Sequence, residues 1–363
     1  MDKIFSARTI VEKIVSAVRR GNIPRPPILS CILAVLFITI CYEFFQVNQQ
    51  VRTMEGTLME RESQQDGQQE ASQRRSDLTA KIKNGVRNNK PILNPHPFTF
   101  TLNNPDKCKG EDVFLLIIVT TPPESQSQRQ AIRETWGDES NIPGVVIRTI
   151  FVVGVSDDVG IQQTLKDENE TFGDVIQENF ADSPRSLTIK QVMGLKWAFQ
   201  FCPNAKYVMK VECNTFVNIF SLVKYLKRLR GAGSRRLVLG WVYNDSAPVR
   251  DPEGEDREWY VSMDDFPRET YPAYAGGFAF VMSSDMPRLL YEASLTTKYL
   301  FMDDIYVGIC LEKLGIAPRH HGGFCHWDVE IDSCHYNWLI ATRWVDSPEK
   351  TRRFWSAITS KCY

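Results

Sequence analysis

The stretch VFLLIIVTT, Val113 to Thr121, runs nine residues without a charge and stops at Pro122-Pro123. A β-rich run that never alternates with polar residues suits a strand covered on both faces. Such strands belong to parallel sheets flanked by helices. The residues that follow keep to that plan. SQRQAIRETWG reads as a helix, with Ile132 and Trp136 four apart and Gly137 as a stop. Val145 to Gly154 reads as a second strand, Ser186 to Cys202 as a long helix, and AKYVMKVE as a third strand. SLVKYLKRL gives the next helix and RRLVLGWVY a fourth strand. This alternation predicts an α/β architecture with a mainly parallel sheet, whose ligands lie beyond the carboxyl ends of its strands. Glu212-Cys213-Asn214 stands at such an end and sets a carboxylate, a thiol and an amide side by side.

The chain has 363 residues, 43% of them hydrophobic, which is enough for a large core. A net charge of −1 argues against a general partnership with nucleic acid. The charge is unevenly placed. Residues 1–27 form a basic tail, with Lys3, Arg8, Lys13, Arg19, Arg20 and Arg25 against Asp2 and Glu12. Residues 28–45 then carry Glu43 as their one charge, and as a helix they would span roughly 27 Å. That length suits an early secretory membrane, no small-residue cleavage site follows, and a core helix would lack the basic flank. The run is therefore expected to be a transmembrane signal anchor, with the tail cytosolic and the bulk of the chain lumenal. Residues 46–90 are rich in Gln, Glu, Arg and Ser, as expected of a lumenal stem. Residues 91–363 have ordinary globular composition and no internal repeat. Sequons at Asn169 and Asn244 suit lumenal glycosylation. Seven cysteines lie beyond the anchor, so at least one is free or pairs between chains.

Across residues 91–363 occur, in order, NPHPFTF, RQAIRETWGDE, KYVMK followed by FVN, RDP followed by REWY, YPAYAGG, DDIYVGICLEKLGI and GGFCHW. Together these motifs resemble the β-1,3-glycosyltransferases of the Golgi membrane, most closely the β-1,3-galactosyltransferase branch. The resemblance implies a GT-A type fold, a Rossmann-like mixed sheet flanked by helices. It also implies a UDP-sugar donor, Mn²⁺, and inversion to form a β-1,3 linkage on a glycan carried by a glycoprotein or glycolipid.

The resemblance puts metal and diphosphate at Glu212-Cys213-Asn214, where family members typically carry Asp-x-Asp. Glu212 keeps a carboxylate, Asn214 offers a neutral oxygen, and a Cys213 thiolate would favour a softer metal. The competing reading is a turn that has lost its metal. His326 is a third ligand by resemblance, or else a satisfied core histidine. Displacement with inversion needs a base for the acceptor hydroxyl, and the resemblance places it in Asp303-Asp304, with Asp304 favoured. Capping of the helix that follows is the alternative for either acid. Arg129 and Arg133 are donor-site candidates, against a surface ion pair with Glu134 or Asp138. Lys190 and Asp182 match family positions near the donor, although Lys190 also reads as a lysine lying along its own helix. Trp259, Tyr260, Tyr274, Gly276 and Gly277 are expected in the acceptor wall, where aromatic faces stack on sugars and glycines allow close approach. By the same resemblance Cys310 loses its usual partner to Ala275, and Cys325 becomes the candidate in its place. Pro184 and Ser186 replace a family aromatic and a family Asn.

These departures leave three functions open. One is transfer of galactose from UDP-galactose to a terminal N-acetylhexosamine. The second is the related transfer of N-acetylglucosamine, and the third is a non-catalytic, lectin-like or partner-stabilising lumenal protein. A type II surface receptor accounts less well for carboxylates gathered at the predicted strand and helix ends.

Overall fold

The computed structural model describes residues 91–229, 235–330 and 338–360, together with Ser16. The expected tail, anchor and stem, residues 1–90, lie outside the described residues but for Ser16. Among the described residues no helix is long and apolar enough to cross a membrane. The chain divides into two compact units, Met1–Lys81 and Ile82–Tyr363, and the second holds the architecture described below.

In chain order the strands are β1 (Phe100–Leu102), β2 (Leu115–Thr120), β3 (Ile147–Val155), β4 (Val175–Ala181), β5 (Tyr207–Glu212), β6 (Phe216–Val217), β7 (Val238–Tyr243), β8 (Tyr274–Ser283), β9 (Arg319–His320), β10 (Phe324–Cys325) and β11 (Ala341–Thr342). The helices are α1 (Gln126–Arg133), α2 (Val159–Phe172), α3 (Leu187–Phe201), α4 (Ile219–Arg228), α5 (Met286–Ser294), α6 (Asp303–Leu314) and α7 (Pro348–Thr359). The main sheet runs β1-β4-β3-β2-β5-β8-β7-β9, and β10, β11 and β6 form a small second sheet. β2 pairs in parallel with β3 and β5, and β3 with β4. β8 runs antiparallel to both β5 and β7, and β1 antiparallel to β4. The expected parallel core is present within a mixed sheet.

Strand β8 is the main element that the sequence did not announce. YPAYAGG stands out in the sequence only for the acceptor wall; its Tyr274 to Gly277 begin a ten-residue strand that pairs along both edges. At the other boundary of interest, α6 begins at Asp303, so both acids lie inside its first turn rather than before it. There they face the positive end of the helix dipole.

Because strand side chains alternate, each central strand feeds two cores. Leu116 and Ile118 of β2 and Val208 of β5 pack beneath α3, α5 and α6. Leu115, Ile117, Val119, Met209 and Val211 pack on the other face with α1, α4 and α7. Lys210 and Glu212 continue the Val208 face, which is the side where α6 begins. A disulfide joins Cys108 to Cys202, 94 positions apart. Cys310 and Cys325 both carry free thiols, as does Cys213, so the expected substitution of Cys325 as partner of Cys310 does not occur.

Candidate active site

The carboxyl ends of β2 and β5 lie side by side, with Thr120 paired to Glu212. Antiparallel β8 brings its first residues to the same edge and β7 its last, with Tyr243 paired to Tyr274. The start of α6 closes the opening. The result is a cavity of about 550 Å³, within the range of small-ligand sites. Of the residues singled out from the sequence, Lys190, Glu212, Asn214, Trp259, Tyr274, Gly276, Gly277, Asp303 and Asp304 line it.

The two adjacent acids have different environments. Asp303 is buried and its Oδ2 lies 2.7 Å from Lys210 Nζ. Lys210 also donates to the Gly277 carbonyl and lies 3.4 Å from Glu212 Oε1. Burial works against the charge on Lys210, but Asp303 and Glu212 outweigh it and hold the ammonium above its usual range. Asp303 is thus committed to an ion pair. Asp304 has no cation of its own: its Oδ2 accepts from Gly277 N at 3.0 Å and its Oδ1 from Ile305 N at 2.8 Å. Burial first, then the charge of Asp303, push its carboxyl up to about 7. Gly277 permits this packing, since a Cβ there would stand 3.3 Å from both carboxylates.

Glu212 to Thr215 form a tight turn, with Thr215 N donating to Glu212 O. Gln128 of α1 holds the Cys213 carbonyl at 2.8 Å. Burial, then the Glu212 charge, push the Cys213 thiol up to about 11. Asn214 Oδ1 is buried without a hydrogen-bond partner. His326 stacks on Trp241, with ring centroids 4.6 Å apart, and meets the edge of Tyr243. It does not line the cavity. Among the described residues, no three His, Cys, Asp or Glu side chains are grouped to hold a metal ion. A carboxylate beside an ammonium, a neutral amide oxygen and a soft sulfur do not fit Mn²⁺, which requires several hard oxygen ligands. Of the expected Glu212–Asn214–His326 set, His326 stands outside the cavity that the other two line.

Four other expected residues lie outside the cavity. Arg129 is fully buried: it pairs with Glu168 at 2.8 Å and donates to the carbonyls of Pro122 and Pro123. It acts on the loop after β2, whose Pro122 lines the cavity, rather than on a ligand. Arg133 pairs with Glu168 and Asp174 between the rings of Phe151 and Phe172. The partners are thus buried Glu168 and Asp174, not the surface acids Glu134 or Asp138. Asp182 stands behind Lys190, accepting from its Nζ at 2.9 Å and from Gly154 N. Lys190 therefore points inward, donating also to Thr121 O, and is not a lysine lying along its helix. Tyr260 bridges Val249 through its backbone, away from the cavity. Of the sequons, Asn244 is exposed just after β7, whereas Asn169 sits in α2 with its side-chain oxygen held by Asn104 and the Val175 N–H.

The sequence reading missed Tyr243 and Arg343, which also line the cavity. Tyr243 stacks on Tyr274 at 5.2 Å, and a Cβ at Gly276 would touch its ring. The place of Tyr243 at the end of the apolar run of β7 was the available signal; Arg343 had none.

The Galactosyltransferase family profile matches residues 127–322. Beta-1,3-galactosyltransferase 1 of Homo sapiens, and that of Mus musculus, are 40% identical over 289 residues, 79% of this chain and 87% of theirs. Beta-1,3-galactosyltransferase 2 of Homo sapiens is 34% identical over 268 residues, 72% of this chain and 63% of its own. A solved galactosyltransferase, LgtC, in complex with donor and acceptor sugar analogues, matches 68% of this chain and 97% of its own at 9% identity and a TM-score of 0.34, too slight a likeness to weigh. The extent and level of identity decide the matter: the chain belongs to the β-1,3-galactosyltransferase family of glycosyltransferases.

Proposed function

We propose that the chain is an inverting β-1,3-hexosyltransferase of GT-A type. In this reading it is anchored as a type II protein in the Golgi membrane and transfers galactose from UDP-galactose to a terminal N-acetylhexosamine of a glycoprotein or glycolipid. The observation that carries the reading is Asp304, a carboxylate at the cavity wall with two backbone N–H partners and no cation of its own. Family membership supplies the substrate class, and the basic flank before residues 28–45 supports the orientation.

The acceptor hydroxyl gives its proton to Asp304 as its oxygen bonds the anomeric carbon. The bond from that carbon to the UDP oxygen breaks on the opposite face, and its electron pair leaves with UDP. Asp303, held by Lys210, keeps a negative charge beside Asp304 and so sustains its basicity. Trp259 and the Tyr243–Tyr274 pair offer aromatic faces to the sugars.

The test is a donor screen on the full-length chain, with UDP-galactose, UDP-N-acetylglucosamine and UDP-glucose offered against N-acetylhexosaminide acceptors. UDP-galactose with a β-1,3 product is expected. Preference for UDP-N-acetylglucosamine would reassign the donor. No transfer from any of the three, with or without divalent cations, would overturn the catalytic reading in favour of a non-catalytic protein.

A further inference from the structure

A departing nucleoside diphosphate carries charge that the site must balance, and the cavity's cations are unequally available for it. Lys210 is committed to Asp303, Glu212 and the Gly277 carbonyl. Lys190 is committed to Asp182 and the Thr121 carbonyl. Arg343 is different: it lines the same cavity, and among the described residues no carboxylate lies within ion-pair distance of it.

The fold goes to some trouble to present this side chain. β11 pairs antiparallel with β6, setting Thr342 opposite Phe216, and Val345 N donates to Asn214 O at 2.8 Å. Arg343 is thereby fixed against the Glu212–Asn214 corner. Its guanidinium lies over the Trp344 ring at 4.0 Å and beside the Tyr243 hydroxyl. Trp344 itself takes φ +67°, a left-handed conformation that is unfavourable for a bulky side chain and that persists only where its surroundings impose it. Strain of this kind beside a cavity is common where a group is held in place for a ligand.

We propose that Arg343 stands in for the divalent cation, binding the donor's diphosphate directly, so that this chain holds its nucleotide without a metal. The inference rests on the nucleotide-sugar reading above and deepens it. A guanidinium offers paired N–H donors that match two phosphate oxygens, and it keeps its charge at any working pH. As the bond from the anomeric carbon to the phosphate oxygen breaks, the electron pair stays on the UDP oxygen, whose charge the fixed guanidinium stabilises, while the acceptor proton goes to Asp304. Asn214 Oδ1, buried and unpartnered at the same corner, accepts a hydrogen bond from a ligand hydroxyl rather than ligating a metal.

The test is calorimetric binding of UDP, and of uridine as a probe lacking the diphosphate, to the full-length chain in detergent. Titrations are run in EDTA and again in MnCl₂. UDP is expected to bind in EDTA with an affinity within about 3-fold of that in Mn²⁺. Arg343→Ala is expected to weaken UDP by about 10- to 100-fold while leaving uridine unchanged, the loss of one or two charge-assisted hydrogen bonds. Arg343→Lys should recover part of the loss, and thermal melting reports whether each variant is folded. The metal comparison needs no variant, so it decides even if both fail to fold. UDP binding that requires Mn²⁺ overturns the inference and leaves the transferase reading standing. Binding of UDP in neither condition overturns that reading as well.

Discussion

At the scale of single residues, the proposed chemistry rests on Asp304. With its carboxyl pushed up to about 7 and activity requiring the ionised base, the transfer rate should climb with pH through neutrality and level off above it. A rate that fell over that range would remove Asp304 from the role. The same shift acts on stability with the opposite sign. The folded chain ionises Asp304 less readily than the unfolded chain does, so stability declines as pH rises from the ordinary carboxylate range toward about 7. Asp304→Asn should flatten that decline in a series of melting temperatures. It should also lower kcat by about 10²- to 10⁴-fold while UDP still binds. Loss of both functions would mark the residue as structural. Asp303, Asp304 and Glu212 were legible in the sequence because they stand in recognisable motifs at element ends. Lys210 and Arg343 were not. A lysine in an apolar strand and an arginine in a late loop carry no local signature, and the groups that define them lie far away along the chain.

At the scale of elements, the cavity depends on how closely α6 approaches β8. A Cβ at Gly308 would stand 2.6 Å from Tyr274 Cβ and 3.1 Å from the Ala273 carbonyl, so that helix rests almost directly on the strand's backbone. Gly308→Ala should cost about 1–3 kcal/mol by overpacking, measured in denaturant. Because α6 also carries both acids, the variant should lose activity at temperatures where it remains folded. Lys210 ties the same elements electrostatically. Lys210→Met leaves Asp303 buried and unpaired and should cost about 3–5 kcal/mol. The double variant Lys210→Met with Asp303→Asn should recover part of that, and additive losses would mean that the two residues act independently. Element positions for the parallel core could be read from continuous apolar runs such as Val113 to Thr121. β8 was not so legible, since the glycines at its start interrupt the apolar run that continues from Phe278 to Met282. Nor was Gly308, whose meaning is a contact and not a pattern.

At the scale of the whole molecule, the Cys108–Cys202 disulfide ties the segment before β2 to the end of α3 across 94 positions. Cys108→Ser with Cys202→Ser should lower stability by about 2–5 kcal/mol, seen as a shifted denaturation midpoint. The surface bears on maturation too. Asn244 is exposed beside the cavity rim, so Asn244→Gln should remove one glycan's mass from the chain on a denaturing gel if the lumenal orientation holds. An unchanged mobility would count against the use of that sequon.

The Lys210 link reaches beyond strength of packing. It gathers the end of β5, the Gly277 carbonyl on β8 and the first residue of α6 about one ammonium group. During synthesis, β5 emerges long before the residues that neutralise its lysine. Until Asp303 arrives, that lysine has only partly exposed Glu212 at 3.4 Å and lacks its closest carboxylate, so burying it in the sheet is costly. Completion of the cleft and full neutralisation of the buried lysine therefore depend on the same late residue. A truncated chain ending before Asp303 should remain visibly immature, a substrate for chaperones rather than a folded but inactive enzyme.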